Sequence, residues 1–143
     1  MTKGEIAESC FCSGYNCSQS VAMAFSDEIN MDKKDVARLT IGFGGGVGRM
    51  REVCGAVSGA AFVLSALYGE SDKGSVYKKI QDVAKEFEKE NGSVVCRELL
   101  GLSEKSKISP NPEARTKEYY KKRPCPELVH QMADILAKYL GLE

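Results

Sequence analysis

Residues 51–69, REVCGAVSGAAFVLSALYG, constrain the fold more than any other stretch of the chain. The run is apolar or small nearly all round and is too long for a strand. It reads as a helix buried at the centre of a bundle. Gly55, Ser58, Gly59 and Ala60 leave little side chain on one of its surfaces. A neighbouring backbone can then approach closely, against roughly 1 kcal/mol of helix propensity per interior glycine. A second copy of the chain is one candidate neighbour, so a homodimer is an expectation.

Other helices must surround it. Residues 3–12 form a weakly amphipathic first helix with Ile6 and Phe11 as its apolar markers, followed by the turn Ser13-Gly14-Tyr15. Asn16, with Gln19 three residues on, resembles a capping box before Val21, Ala22 and Phe25. Asp32 caps a further helix, with Val36, Leu39 and Phe43 expected on its buried side. Val76, Ile80, Val83, Ala84 and Phe87 make one stripe over Ser75–Glu90, closed by Asn91-Gly92. Ser93 is a candidate cap for a short helix through Leu100. Residues 103–124 read as a polar loop with a turn of helix near Ala114–Tyr120. Pro126 opens the last helix, lined by Leu128, Val129, Met132, Ile135, Leu136 and Tyr139. No strand pattern competes. The expected fold is all-α, a compact bundle of five or more helices, with residues 1–143 as one domain.

Charge excludes several functions. Twenty Lys and Arg balance twenty Asp and Glu, giving a net charge of zero, which argues against nucleic acid or an anionic membrane as partner. No apolar run reaches the roughly 18 residues of a membrane span. The N-terminal MTKGEIAESC carries acids and no apolar core, so it does not read as a secretory signal, and the expected compartment is the cytoplasm.

Six cysteines are unusual there: Cys10, Cys12, Cys17, Cys54, Cys96 and Cys125. A reducing cytosol disfavours structural disulfides, so they point to metal or redox chemistry. The one histidine, His130, excludes histidine-rich metal sites and reads as a satisfied side chain on the last helix. Ser58 and Ser65 have no hydrolase pattern around them, and Asp134 is a lone acid. Cys17, Cys96 and Cys125 fall at expected helix starts and Cys54 near one. There the helix dipole and free N–H groups favour a thiolate, the form that ligates metals and attacks disulfides. Arg49 and Arg51 precede Cys54, Arg97 follows Cys96, and Lys121, Lys122 and Arg123 precede Cys125. A single buried cysteine is usually a small hydrophobe; four so placed favour a shared site. Separations of 36, 41 and 28 intervening residues require the tertiary fold to gather them. Cys10 and Cys12 form a separate CFC; a structural or incidental role is favoured over extra ligands or a reactive pair, which stay open.

The run GFGGGVGR, residues 42–49, completes no G-x-G-x-x-G fingerprint, has no preceding strand and lacks GK[ST]. It reads as a tight passage between helices, with backbone N–H groups available to wrap a buried centre.

At these residues the chain resembles a known family. GYNCSQSVAMAF, GFGGGVGRMREVCGAVSGA, the cysteine of CRELLG and the final CP are similar to the C_GCAxxG_C_C family, whose signature is here CGAVSG, Cys54–Gly59 (the label writes its first two letters in the other order). The resemblance covers nearly the whole chain and maps the family's four cysteines onto Cys17, Cys54, Cys96 and Cys125. It implies redox activity and an iron–sulfur cluster or related prosthetic group at those four. The family also resembles the helical part of split-Soret cytochromes, but this chain lacks CxxCH, so no covalent haem is expected. Nothing carries over to Cys10 and Cys12. The expected function is a small redox protein with a Cys17/Cys54/Cys96/Cys125 site holding an iron–sulfur cluster for electron transfer or redox sensing, with a redox partner. Two alternatives stay open: a metal-free thiol–disulfide protein and a structural zinc protein with four cysteine ligands.

Overall fold

Helix-starting residues act as local physics dictates. In the computed structural model, which describes residues 1–101, 110–112, 115 and 124–142, Thr2 caps α1 (Lys3–Cys12) in a reciprocal pair with Glu5. Asn16 and Gln19 make the same pair at α2 (Cys17–Met23). Asp32 caps α3 (Lys33–Thr40), which runs into a 3₁₀ turn at Ile41–Phe43. After α4 (Gly55–Tyr68), Asp72 caps α5 (Lys73–Asn91), and Gly92 ends that helix at φ 85°. Short α6 (Cys96–Leu99) and then α7 (Cys125–Tyr139), with Pro126 in its first turn, complete the order. The fold is all-α, with seven α-helices and no strand among the described residues; one antiparallel bridge joins Val53 to Val95.

The packing explains why the bundle closes. α1 lies along α7, α2 is held against α1, α3, α4 and α7, and α5 covers α4 and α7. Phe11, Phe25, Leu64, Phe87, Met132 and Leu136 form its fully buried interior. α4 is buried through its first half, while Ser65 and Ala66 are exposed. The most completely buried helix is instead α2, in which Ser18–Met23 are all buried. Its polar residues are tolerated because each is bonded. The Ser18 hydroxyl donates to the Thr40 carbonyl at 2.7 Å, Gln19 Nε2 donates to the Ala37 carbonyl at 3.0 Å, and Ser20 donates to the Asn16 carbonyl at 2.7 Å. A buried hydroxyl or amide without a partner would cost about 1–3 kcal/mol.

Three local expectations are corrected. Leu39 and Phe43 do not share the buried side of Val36: they are 44% and 41% exposed, with Ile41 between them at 61%. Thr40 takes the inward position one turn after Val36, and the tighter 3₁₀ winding then turns the next residues outward. Ser93 does not cap α6; its hydroxyl accepts from the Val95 N–H, and Cys96 is the first helical residue. Asp134 is not a lone acid, since it accepts from the Gly4 N–H at 2.8 Å and lies 3.2 Å from His130 Nε2, while His130 Nδ1 meets Glu8 at 2.9 Å. This cluster ties α1 to α7. The expected turn of helix near Ala114–Tyr120 lies outside the described residues except for Arg115.

Candidate functional site

Two glycines of the CGAVSG stretch set the site's first half. A Cβ on Gly55 would meet Cys17 Cβ at 3.0 Å, and one on Gly59 would meet the Ser18 carbonyl oxygen at 2.7 Å. Gly55 and Gly59 are four apart, so they share one face of α4. Without side chains there, the start of α2 rests directly on α4. The small surface that suggested a homodimer contact is therefore filled by α2 of the same chain. The consequence is chemical: Cys17, the first residue of α2, sits beside Cys54, the N-cap of α4.

Main-chain bonds set the second half. The Cys54 N–H donates to the Val94 carbonyl at 2.8 Å and the Cys96 N–H to that of Glu52 at 2.6 Å, a short clasp that brings the start of α6 to the start of α4. Before the clasp, Gly45, Gly46, Val47, Gly48, Arg49 and Arg51 all have φ between 56° and 74°. Left-handed backbone costs a non-glycine residue roughly 1–2 kcal/mol, so the three glycines carry half of this run cheaply. Gly46 is also required for space: a Cβ there would lie 2.7 Å from Cys96 Cβ. The N–H groups of Gly48, Arg51 and Glu52 donate back to the carbonyls of Gly42, Gly45 and Gly46 at 2.8, 3.1 and 2.9 Å. These bonds hold the segment's own shape, and Gly44, Gly45 and Gly48 line the cavity into which the cysteines face.

Cys17, Cys54, Cys96 and Cys125 all line one cavity of about 430 Å³. Its apolar wall includes Phe11, Ile41, Leu99, Leu100 and Leu128, and Arg49, Arg51 and Arg115 line it as well. Cys54, Cys96 and Cys125 are buried and Cys17 is partly so, and no disulfide joins cysteines among the described residues. Cys10 is half-buried, Cys12 is exposed, and neither lines the cavity.

The cations are arranged differently from their sequence neighbours. Arg51, which precedes Cys54, places Nη1 3.7 Å from Cys96 Sγ. Arg97 turns toward the Met50 carbonyl at 3.5 Å, and Arg49 donates to the Asn111 carbonyl. Lys121, Lys122 and Arg123 lie outside the described residues. Arg115 carried no signal in the sequence. Its guanidinium stacks 4.0 Å from the Phe11 ring centroid and donates to the carbonyls of Phe11 and Tyr15, which only the tertiary fold brings to it.

Helix-start fields do not produce thiolates at Cys17 and Cys54. Burial pushes the Cys54 thiol from 9.0 up to about 12, although hydrogen bonds from the backbone at Ala56 and Val57 pull the other way. Cys17 is also held well above its usual value, first by its hydrogen bond with Cys125, then by burial and by the nearby charges of Cys125, Cys54 and Cys96. Desolvation and mutual repulsion outweigh the dipole. The cavity therefore presents protonated Cys17 and Cys54 at neutral pH, and any metal must displace those protons. Among the described residues, no group of three or more Cys, His, Asp or Glu side chains is placed to hold a metal ion. The donor set is nevertheless soft and four-fold, with cations beside it, as a thiolate-held group needs. Binding one would require the sulfurs to draw together as they lose their protons.

Four cysteines from separate helix starts, gathered on one cavity of an all-α fold, define a helical cysteine-cavity protein. Residues 15–139 match the family described as "Putative redox-active protein (C_GCAxxG_C_C)", and the chain belongs to that family. It is also similar to a protein of Archaeoglobus fulgidus named only as an uncharacterized protein, at 25% identity over 134 residues, covering 84% of this chain and 81% of that one. No solved structure gives a significant match. Among the described residues, no helix is long and apolar enough to cross a membrane.

Proposed function

We infer that Cys17, Cys54, Cys96 and Cys125 together hold an iron–sulfur cluster, and that the protein transfers electrons or senses redox state with a separate redox partner. The observation that carries this reading is convergence: cysteines up to 108 positions apart in sequence line the same cavity. Membership of a redox-active family supports it. Four cysteine thiolates are the usual ligand set of [2Fe–2S] and [4Fe–4S] centres, and such a group, when bound, supplies one-electron chemistry. The chain's own contributions are distinct. α2 and α4 hold Cys17 and Cys54 side by side, the clasp adds Cys96, and the start of α7 adds Cys125. Phe11, Leu99, Leu100 and Leu128 limit water, and the arginines offset negative charge. A reducing compartment such as the cytoplasm keeps these thiols free.

A second reading is favoured by one contact. The hydrogen bond between Cys17 and Cys125 puts two sulfurs close together, as a thiol–disulfide couple releasing two electrons and two protons would need. Visible absorption of anaerobically purified protein separates the readings. The cluster reading expects a coloured protein that bleaches on reduction. A colourless protein, with zinc or with a Cys17–Cys125 disulfide mapped by mass spectrometry, would replace it.

A further inference from the structure

Arg51 is a cavity cation aimed at a sulfur. Its Nη1 lies 3.7 Å from Cys96 Sγ, and among the described residues it has no carboxylate partner. Arg115, by contrast, is anchored on carbonyls and on the Phe11 ring. The backbone is shaped to hold Arg51 where it is. Its φ of 63° is one that a side-chain-bearing residue adopts at a cost of roughly 1–2 kcal/mol. Its N–H donates to the Gly45 carbonyl at 3.1 Å, and its carbonyl accepts from the Arg97 N–H at 3.2 Å. Arg97 immediately follows Cys96. Guanidinium and sulfur therefore spring from the two sides of one main-chain clasp, and their relative position does not depend on a long side chain alone.

We propose that Arg51 is a positioning residue for the four-cysteine site, donating to the Cys96 sulfur and raising the reduction potential of the group held there. The proposal rests on the iron–sulfur reading. A cation with an N–H on a ligating sulfur favours the state carrying one more negative charge. Losing it makes reduction harder. The change is a one-electron reduction, supplied in the assay by dithionite, and no bond of the chain forms or breaks.

The test compares wild type, Arg51→Lys, Arg51→Gln and Lys79→Gln, each reconstituted anaerobically with ferrous iron and sulfide. Lys79, on α5, sits over the Tyr68 ring of α4 and controls for loss of one positive charge. Equal iron and sulfide per chain are expected in all four. The potential of Arg51→Gln should fall by about 59 mV, a tenfold change for one electron. Arg51→Lys should fall by less, and Lys79→Gln should match wild type. Arg51→Gln at the wild-type potential, or Lys79→Gln shifted as far, would overturn the proposal. Should Arg51→Gln fail to fold by circular dichroism, the smaller downward shift in Arg51→Lys decides, and its absence overturns the proposal. Wild type that takes up no sulfide would defeat the iron–sulfur reading itself. Cobalt(II) titration, read by thiolate charge-transfer absorption, would then decide the role of Arg51. About tenfold weaker binding by Arg51→Gln supports it, and unchanged binding overturns it.

Discussion

Replacing Gly59 by alanine adds one methyl group where two helices touch. A Cβ there would lie 2.7 Å from the Ser18 carbonyl oxygen, 3.1 Å from Val21 Cβ and 3.2 Å from Ser18 Cα. The first two obstacles are backbone and a β-branched side chain, neither of which can swing aside. α2 must shift by several tenths of an ångström, and overpacking of that kind costs about 1–3 kcal/mol. Alanine returns roughly 1 kcal/mol of helix propensity, so the net loss should be about 0–2 kcal/mol. Gly74, in the first turn of α5, is the matched control. A Cβ there meets only Asp72 Oδ2 at an ordinary 3.4 Å, and Gly74→Ala should stabilise by up to about 1 kcal/mol. The same substitution thus takes opposite signs at two helical glycines. Urea denaturation of the metal-free protein, followed by circular dichroism under reductant, reads the difference. Gly59→Ala should also lower cofactor loading, because the displaced α2 carries Cys17. Stabilisation of Gly59→Ala equal to that of Gly74→Ala would refute the close approach, and with it the account of how Cys17 reaches Cys54.

Three further outcomes follow from buried polar groups. Ser18→Ala should cost about 1–2 kcal/mol in the same assay, since the buried Thr40 carbonyl loses its donor. The raised Cys54 value gives a pH dependence: above pH 9 the unfolded chain's thiol ionises while the folded one keeps its proton, so metal-free stability falls as pH rises toward about 12. The Cys54 share of that loss should be about 1.4 kcal/mol by pH 10, so Cys54→Ser should lose about that much less than wild type between pH 8 and pH 10, the remaining loss coming from the raised Cys17 thiol. By the same physics, cobalt(II) uptake at pH 7 should release at least the Cys17 and Cys54 protons into a weakly buffered solution.

The sequence disclosed what is set within one or two helical turns. The Asn16–Gln19 cap, Asp32, the Val76–Phe87 stripe and Asn91-Gly92 all act through neighbours a few positions away, and their helices form as expected. What the sequence hid depends on distant partners. α2 looks too polar for an interior helix until Thr40 and Ala37 supply acceptors for Ser18 and Gln19. Leu39 looks buried until Thr40 takes the inward position. The small residues of α4 announced a close approach but not which backbone would make it. In the site, the four cysteines stood out through type and position at helix starts. Arg115 on Phe11, the Arg51–Cys96 contact and the protonated state of Cys17 and Cys54 arise only when separated segments exclude water together.

Iron and acid-labile sulfide per chain, measured after anaerobic purification of wild type and single cysteine variants, test the shared site most directly. Cys54→Ser and Cys125→Ser keep the side chain's size but remove a soft ligand from the cavity. Each should abolish cofactor retention while circular dichroism shows the helices intact. Cys10→Ser and Cys12→Ser, outside the cavity, should retain wild-type amounts. Full retention by Cys54→Ser, or equal loss from the Cys10 and Cys12 variants, would contradict the claim that Cys17, Cys54, Cys96 and Cys125 act as one site.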